Sequence, residues 1–395
     1  MTGKPHTRHS CDVVIVGGGL VGLSLARALA GSGLALALVE SQPPAAIPDE
    51  DSWDNRVYAV SPGSAAFLQR CGAWASLRQD RLTRVETMRV YGDDATACLE
   101  FSAYDAGLRE LAFIVENRRL QHALWEVVRD QDIHIRCPAR WTALESRADH
   151  ALLRLDDGAE LESRLVIGAD GAESRVRAEA GIAVTPADYG QLGVVANFSC
   201  EKPHGSTAFQ WFMRDGVLAL LPLSGNRVSM VWSVDQERGR NLLALAAAEL
   251  AYEVELASRG ALGRLQRMAP AAAFPLRLAR VTKFTKPRVA LAGDAAHNVH
   301  PLAGQGVNLG FRDARELAGV LTERGPQRDC GDHALLRRYE RARREDVTAV
   351  QLTTDGLQKL FSNPAVWASR ARNLGLDLVN RQPWLKKFLV QHAVA

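Results

Sequence analysis

Four short runs in this chain are apolar at every position: residues 13–16, 34–39, 165–167 and 289–292. Unbroken runs of this length suit strands buried on both faces of a parallel sheet. Between the first two, Leu23, Ala26, Leu29 and Ala30 repeat at helical spacing, and the pattern stops at Gly31 and Gly33. This predicts a βαβ unit. Further along, the pattern predicts a helix over 63–71, a strand over 85–91 and another over 111–115. A helix over Asn117–Arg129 presents Leu120, Leu124, Val127 and Val128 on one face, and a hairpin turns at Asp157-Gly158.

The middle of the chain changes character. Thr207–Met213 and residues 217–223 and 227–234 are strand-like runs joined by Arg214-Asp215-Gly216 and Ser224-Gly225-Asn226, which are good turns. An antiparallel meander of this kind marks a second domain that can wall a pocket. A helical segment is expected over 241–257, a strand near Leu278, and a helix over 307–323 ending at Gly325-Pro326. The last seventy residues read as helical, with the charged run 337–346 as a solvated face.

Glycines follow three of the four buried runs. Gly17, Gly19 and Gly22 form G-x-G-x-x-G directly after the first strand, and Glu40 ends the second strand 18 residues after Gly22. Gly17 provides the tight turn, Gly19 lets a pyrophosphate approach the backbone, and Gly22 lets helix and strand pack closely. Glu40 is placed to accept hydrogen bonds from an adenosine ribose. The second turn is Gly168-Ala169-Asp170-Gly171, with Asp170 at the carboxyl end of a strand. The third runs from Gly293-Asp294 through His297, His300 and Pro301 to Gly304-Gln305-Gly306 and the start of a helix. Three such turns spread over almost 300 residues imply one long dinucleotide on one discontinuous sheet. Asp294 is placed for a ribityl or phosphate-side hydroxyl. The helix start at Gly304–Gly306 would stabilise negative charge on a flavin by roughly 0.3–2 kcal/mol.

Composition narrows the picture. A chain of 395 residues fits two domains. Its net charge of +3, without a basic stripe interleaved with aromatics, argues against nucleic-acid binding. Six scattered cysteines with no C-x-x-C pair suit a reducing cytoplasm. No run approaches a membrane span.

Taken together, these motifs resemble the FAD-dependent aromatic hydroxylases of the para-hydroxybenzoate hydroxylase fold, and within them the ubiquinone-biosynthesis hydroxylases. The resemblance rests on Gly17–Gly22 with Glu40, on Gly168–Arg175, and on the long form Gly293-Asp294-Ala295-Ala296-His297 continued by 301–310. Asp54-Asn55-Arg56 and residues 218–223 add to it. The implied fold is α/β. It has a Rossmann-like FAD domain from discontinuous segments (1–84, 111–180, 288–325), an antiparallel substrate domain (85–110, 181–287) and a helical C-terminus (326–395). The implied cofactor is FAD, held by Gly17, Gly19, Gly22, Glu40, Arg56, Asn117, Asp170, Gly293, Asp294, Gly304, Gln305, Gly306, Val307 and Asn308, with Pro301 and Gly304 near the flavin ring. Asn117 departs from many relatives, which carry arginine there. The resemblance further implies reduction by NAD(P)H, O2 addition to form a flavin C4a-hydroperoxide, and hydroxylation of an electron-rich ring. For this subgroup that ring belongs to a polyprenyl phenol. No catalytic acid or base is obligatory, since the phenol activates its own ring. The alternatives are a hydroxylase of a soluble phenol, a flavoprotein reductase or dehydrogenase that does not use O2, and a non-catalytic scaffold.

Several residues carry two readings. His297 and His300 stand at i, i+3 but lack further partners at metal spacing, so they read as loop or supporting histidines and no metal is expected. Asp170 is a cofactor contact or a helix cap, Arg56 a cofactor contact or a surface arginine, and Trp211 and Trp232 core or pocket lining. Residues 376–389 mix apolar and basic side chains, which suits core packing, or contact with the inner membrane or with other ubiquinone-biosynthesis proteins.

Overall fold

The structure, a computed structural model, describes residues 8–47, 52–92, 98–213, 215–298 and 305–362; for 186–189, 277–278, 353–355 and 357–362 it describes the backbone alone. The apolar runs form the middle of one sheet. Adjacent strands run Thr285–Lys286, Val289–Leu291, Glu160–Gly168, Arg8–Val16, Leu36–Val39 and Ile133–Arg136. All neighbours from Val289–Leu291 to Ile133–Arg136 are parallel. Helix Leu20–Leu29 covers this sheet, and Leu23, Leu25, Ala26 and Leu29 are fully buried in the first core. The expected hairpin is present as Ala151–Leu155 paired with Glu160–Gly168.

The second sheet is antiparallel in its centre. Thr207–Met213, Gly216–Leu223 and Arg227–Asp235 form the expected meander. A strand not anticipated from the sequence, Val184–Cys200, pairs with Arg227–Asp235 on one side and Ala272–Val281 on the other. Its pairing is interrupted near Gly190, which takes φ +62°. One face of this sheet carries Trp211, Leu218, Leu220, Met230 and Trp232, packed with Leu242, Leu250 and Val254 into a second core. Both tryptophans, 2% exposed, are therefore core residues and not pocket lining.

Two expectations about elements are corrected. Residues 85–91 are not one strand. Thr83–Val85 joins a three-stranded sheet with Ala112–Glu116 and Val57–Val60, whereas Thr87–Tyr91 joins the large antiparallel sheet beside Thr207–Met213. The crossing point is Glu86, whose N–H donates to Ser206 and whose carbonyl accepts from Ala103. The helical segment 241–257 is two helices, Gln236–Ala244 and Ala247–Ala257. Leu245 and Ala246 are extended between them, and each helix has its own start: Asp235 accepts from Arg238 N, and Glu249 accepts from Ala246 N. Of the six cysteines, all free, Cys11, Cys71, Cys200 and Cys330 are buried, and burial pushes the Cys71 and Cys330 thiols up to about 11. Those two behave as inert apolar residues.

Candidate functional site

The three glycine turns lie side by side. Val16 is level with Gly168 on one neighbour and Val39 on the other, and Gly168 is level with Leu291. The turns after Val16, Gly168 and Leu291, together with Glu40 after Val39, therefore line one edge of the sheet at the carboxyl ends of its strands. Four strands span about 14 Å at roughly 4.8 Å per gap. A ligand that meets all of them must be elongated.

The first turn is sterically committed. Gly17 has φ +110°, and a Cβ there would lie 2.3 Å from the Ala169 carbonyl oxygen. A Cβ on Gly22 would lie 1.9 Å from the Gly17 oxygen. Gly19 differs: a Cβ there meets nothing within 4 Å, so the space in front of it is open. The N-cap of helix Leu20–Leu29 is Gly19, which has no side chain to cap it, and no acidic residue occupies the first turn. Its leading N–H groups and positive end therefore face that open space. Glu40 accepts from Gly18 N and Gln42 N, and Gln121 Nε2 donates to the Gly18 carbonyl at 3.1 Å.

The second turn is held by Asp170, which accepts from Ser174 Oγ and, at 3.1 Å, from Val176 N. The short helix Arg175–Glu179 is capped by Ser174, which accepts from Arg177 N at 2.9 Å, and Asp170 holds that cap and one first-turn N–H. Buried Arg177 ties the second turn to the third, donating to Ala172 O at 2.9 Å and Ala295 O at 3.0 Å.

In the third turn, Gly293 takes φ +62° and packs against Val21 of the first helix. Its N–H donates to Asp313 Oδ2 at 2.9 Å. Asp294 follows, exposed and with no hydrogen bond to its carboxylate among the described residues. Solvent reaches it, yet enough protein surrounds it that lost hydration pushes its pKa above the usual carboxylate range; His297 and Arg56 oppose this and Asp313 adds to it. A solvent-reached carboxylate without a bond of its own can accept from a ligand hydroxyl. His297 is buried, and its Nε2 contacts Asp313 Oδ2 at 2.6 Å. It supports the turn from behind, as one reading of the sequence expected. Pro301, Gly304 and His300 lie outside the described residues.

Gln305, Gly306 and Val307, all half-buried, open helix Gln305–Thr322. Asn308 straps this helix to the end of the strand Val57–Val60: its Oδ1 accepts from Ser61 N at 2.9 Å and its Nδ2 donates to Ala59 O at 2.8 Å. Arg56 is exposed, 5.4 Å above the Tyr58 ring, and Asn117 N donates to the Arg56 carbonyl at 2.9 Å. Arg56, Tyr58 and Asp294 lie within electrostatic reach of one another: burial pushes the Tyr58 phenol up to about 12, against Arg56 and with Asp294.

Beneath them Glu116, 1% exposed, binds Arg81 through two bonds of 2.9 Å and Arg119 through one of 3.0 Å. It also accepts from Asp54 N at 2.8 Å. This fixes the Asp54–Arg56 loop. Glu116, Arg177, Gln121, Tyr58 and Asp313 were not singled out from the sequence. The available signal was a charged or amide residue inside an apolar pattern, as with Asp313 between Leu309 and Leu317.

These residues fit FAD. The open space before Gly19 and the uncapped helix suit a pyrophosphate, and the unpaired Asp294 suits a hydroxyl further along the same edge. A family model described as FAD binding domain matches residues 10–354. Ubiquinone hydroxylase UbiL of Rhodospirillum rubrum is 36% identical over 387 residues, 97% of this chain and 89% of that protein. The 3-demethoxyubiquinol 3-hydroxylase of Escherichia coli is 35% identical over 390 residues, 98% of this chain and 99% of that protein. Among solved structures, Pseudomonas aeruginosa PqsL in complex with 2-aminobenzoylacetate has a TM-score of 0.78 at 23% identity, covering 93% of this chain and all of that one, which is a likeness of fold. Sheet order, glycine turns and full-length similarity agree, and the chain belongs to the FAD-binding-domain family, among the FAD-dependent ubiquinone-biosynthesis hydroxylases.

Proposed function

We propose that the protein is a monooxygenase that uses FAD, NAD(P)H and O2 to hydroxylate the aromatic ring of a polyprenyl phenol in ubiquinone biosynthesis. One oxygen atom enters a ring C–H bond as a hydroxyl, the other leaves as water, and NAD(P)H supplies the two electrons. The observation that carries this is the alignment of three glycine turns on one sheet edge, in a chain similar to ubiquinone hydroxylases along its whole length. Bound FAD supplies the electron transfer and the activation of O2.

The chain's residues then have the following roles. Gly17, Gly19 and Gly22 with the first helix hold the pyrophosphate. Glu40, anchored by Gly18 N, faces the ribose. Asp294 binds a hydroxyl, and Arg56 sets the charge beside it. Gly293, Gln305, Gly306 and Val307 offer backbone near the ring, with Pro301 and Gly304 assigned there from the family resemblance alone. Asp170, Asn117 and Asn308 shape the surrounding turns.

The antiparallel sheet supports an apolar substrate. Its helix-packed face holds Trp211, Leu218, Leu220, Met230 and Trp232, so alternation sends Val217, Ala219, Leu221 and Val231 to the opposite face, where they are half-buried. That face meets the first domain: Leu221 and Ala208 pack with Trp53, Val57 and Ile114. An apolar wall there excludes water and holds a ring against the cofactor edge.

No described helix is long and apolar enough to cross a membrane. The mixed apolar and basic run 376–389, outside the described residues, is the proposed peripheral contact with the bilayer that stores such a substrate. The test is substrate-dependent O2 uptake by the purified holoprotein with stoichiometric hydroxylated product. Product without O2 consumption, or a purified protein that takes up no FAD, rejects the proposal. Profiling quinone intermediates in a strain lacking the gene identifies the ring position.

A further inference from the structure

We infer that Asp313 is a positioning residue for the third cofactor turn, and that through it the long helix His333–Ser362 is part of the cofactor site's support. Asp313 is fully buried, and three donors, two from the third turn and one from the long helix, converge on its carboxylate. Gly293 N reaches Oδ2 at 2.9 Å, His297 Nε2 reaches the same oxygen at 2.6 Å, and Arg343 Nε reaches Oδ1 at 2.7 Å. The first two flank Asp294, so a single carboxylate fixes both ends of the short segment that presents it. Arg343 comes from the long helix, inside the charged run that reads from sequence as a solvated face. It is 5% exposed, so the run turns inward at this position, while Arg337, Arg338, Arg341, Arg344 and Glu345 are exposed as that reading expects. Periodicity marks the charge but not the buried acid opposite it.

The ion pairs continue outward. Arg343 Nη1 binds Asp346 at 2.6 Å, and Asp346 binds Arg312 of the same helix as Asp313 at 3.1 Å. Two acids alternate with two bases, which keeps the cluster near neutral in a place where an uncompensated charge is costly. Burial alone would raise the Asp313 carboxyl, but His297 and Arg343 outweigh it and hold the group below the usual carboxylate range. It therefore remains an ionised acceptor. The same long helix also bonds directly to the chain on either side of Asp294: Tyr339 Oη donates to Leu291 O, at the end of the strand before the turn, at 2.8 Å, and Gln351 Nε2 donates to Asn298 O at 3.2 Å. One contact precedes Asp294 and the other follows it. Removing the carboxylate leaves the Gly293 N–H, the imidazole Nε2 and the Arg343 Nε without this acceptor, and the turn at Gly293, φ +62°, loses the bond that fixes its N–H.

This rests on the reading that Gly293 and Asp294 face FAD, so the experiment includes that control. Apoprotein variants are titrated with FAD by flavin fluorescence, the visible circular dichroism of the bound flavin is recorded, and each apoprotein's melting temperature is measured. Asp313→Asn is expected to weaken FAD binding about tenfold or more, the loss of one hydrogen bond to a charged group. Arg343→Gln, which changes a residue outside the turn, is expected to weaken FAD binding and alter the flavin dichroism, and Arg343→Lys to recover most of both. A residue that only stabilises the core would lower the melting temperature and leave affinity and dichroism of the folded protein unchanged. That outcome for Asp313→Asn and Arg343→Gln overturns the inference. Where Asp313→Asn does not fold, the Arg343 pair decides alone. Unchanged FAD affinity in Asp294→Asn would instead overturn the placement of the turn at FAD.

Discussion

Two aspartates 19 positions apart (294 and 313) take opposite roles because of what surrounds their carboxylates. Asp313 accepts three donors and is held below the usual range, whereas Asp294 is reached by solvent, accepts none among the described residues, and is pushed above it. The sign for Asp294 follows from linkage. A carboxyl whose folded-state pKa exceeds its unfolded value favours folding while protonated, and that contribution is lost as pH rises through the folded-state value. At neutral pH an ionised Asp294 therefore disfavours the apoprotein. Asp294→Asn is expected to raise the apoprotein's melting temperature at neutral pH, to lose that advantage in acid, and to bind FAD more weakly. Melting followed across pH, with an FAD titration, checks all three; equal melting at neutral pH would count against the raised pKa.

At the scale of the element, the first strand–turn–helix separates glycines whose Cβ would clash with backbone from one, Gly19, that faces open space. In Gly22→Ala the new Cβ meets the Gly17 oxygen at 1.9 Å, a clash expected to cost about 1–3 kcal/mol in denaturant unfolding of the apoprotein. In Gly19→Ala the new methyl meets no protein atom within 4 Å. Apoprotein stability should be nearly unchanged while FAD affinity falls, because the methyl projects into the space assigned to the phosphates. If Gly19→Ala binds FAD as the parent does, the pyrophosphate does not lie there. This turn was legible from sequence because its constraints act over a few residues. The position of Glu40 was legible as well, since it directly follows the neighbouring parallel strand Leu36–Val39.

Over the whole molecule, the two large sheets are joined at the loop carrying Trp53, Asp54, Asn55 and Arg56. Asn197 of the antiparallel sheet donates from Nδ2 to Asp54 O at 3.0 Å and Trp53 O at 3.4 Å. Asn55 Nδ2 donates to Pro270 O at 2.7 Å, and Arg81 stacks on Trp53 at 3.6 Å. Asn197→Ala leaves two carbonyls of this loop without their donor and is expected to destabilise the protein by about 1–3 kcal/mol. Because the loop carries Arg56 beside Asp294, FAD affinity should fall too. Equilibrium unfolding and FAD titration of the variant test this, and wild-type values in both would show that the loop is positioned without Asn197.

What the chain determines locally could be read without coordinates: unbroken apolar runs give buried parallel strands, glycine spacing gives the turns that end them, and turn residues give the meander. These depend on sterics and solvation within a few positions. Tertiary structure alone decided which charges turn inward and what they meet. Glu116 pairs with Arg81, 35 positions away, and Asp313 with Arg343, 30 positions away. The strand Val184–Cys200 exists because partners on both sides satisfy its backbone, not because its own pattern demands it. A buried ion pair is stable only when both members arrive together from distant elements. No local pattern records that condition, so the residues that hold the cofactor turns in place emerged only from the fold.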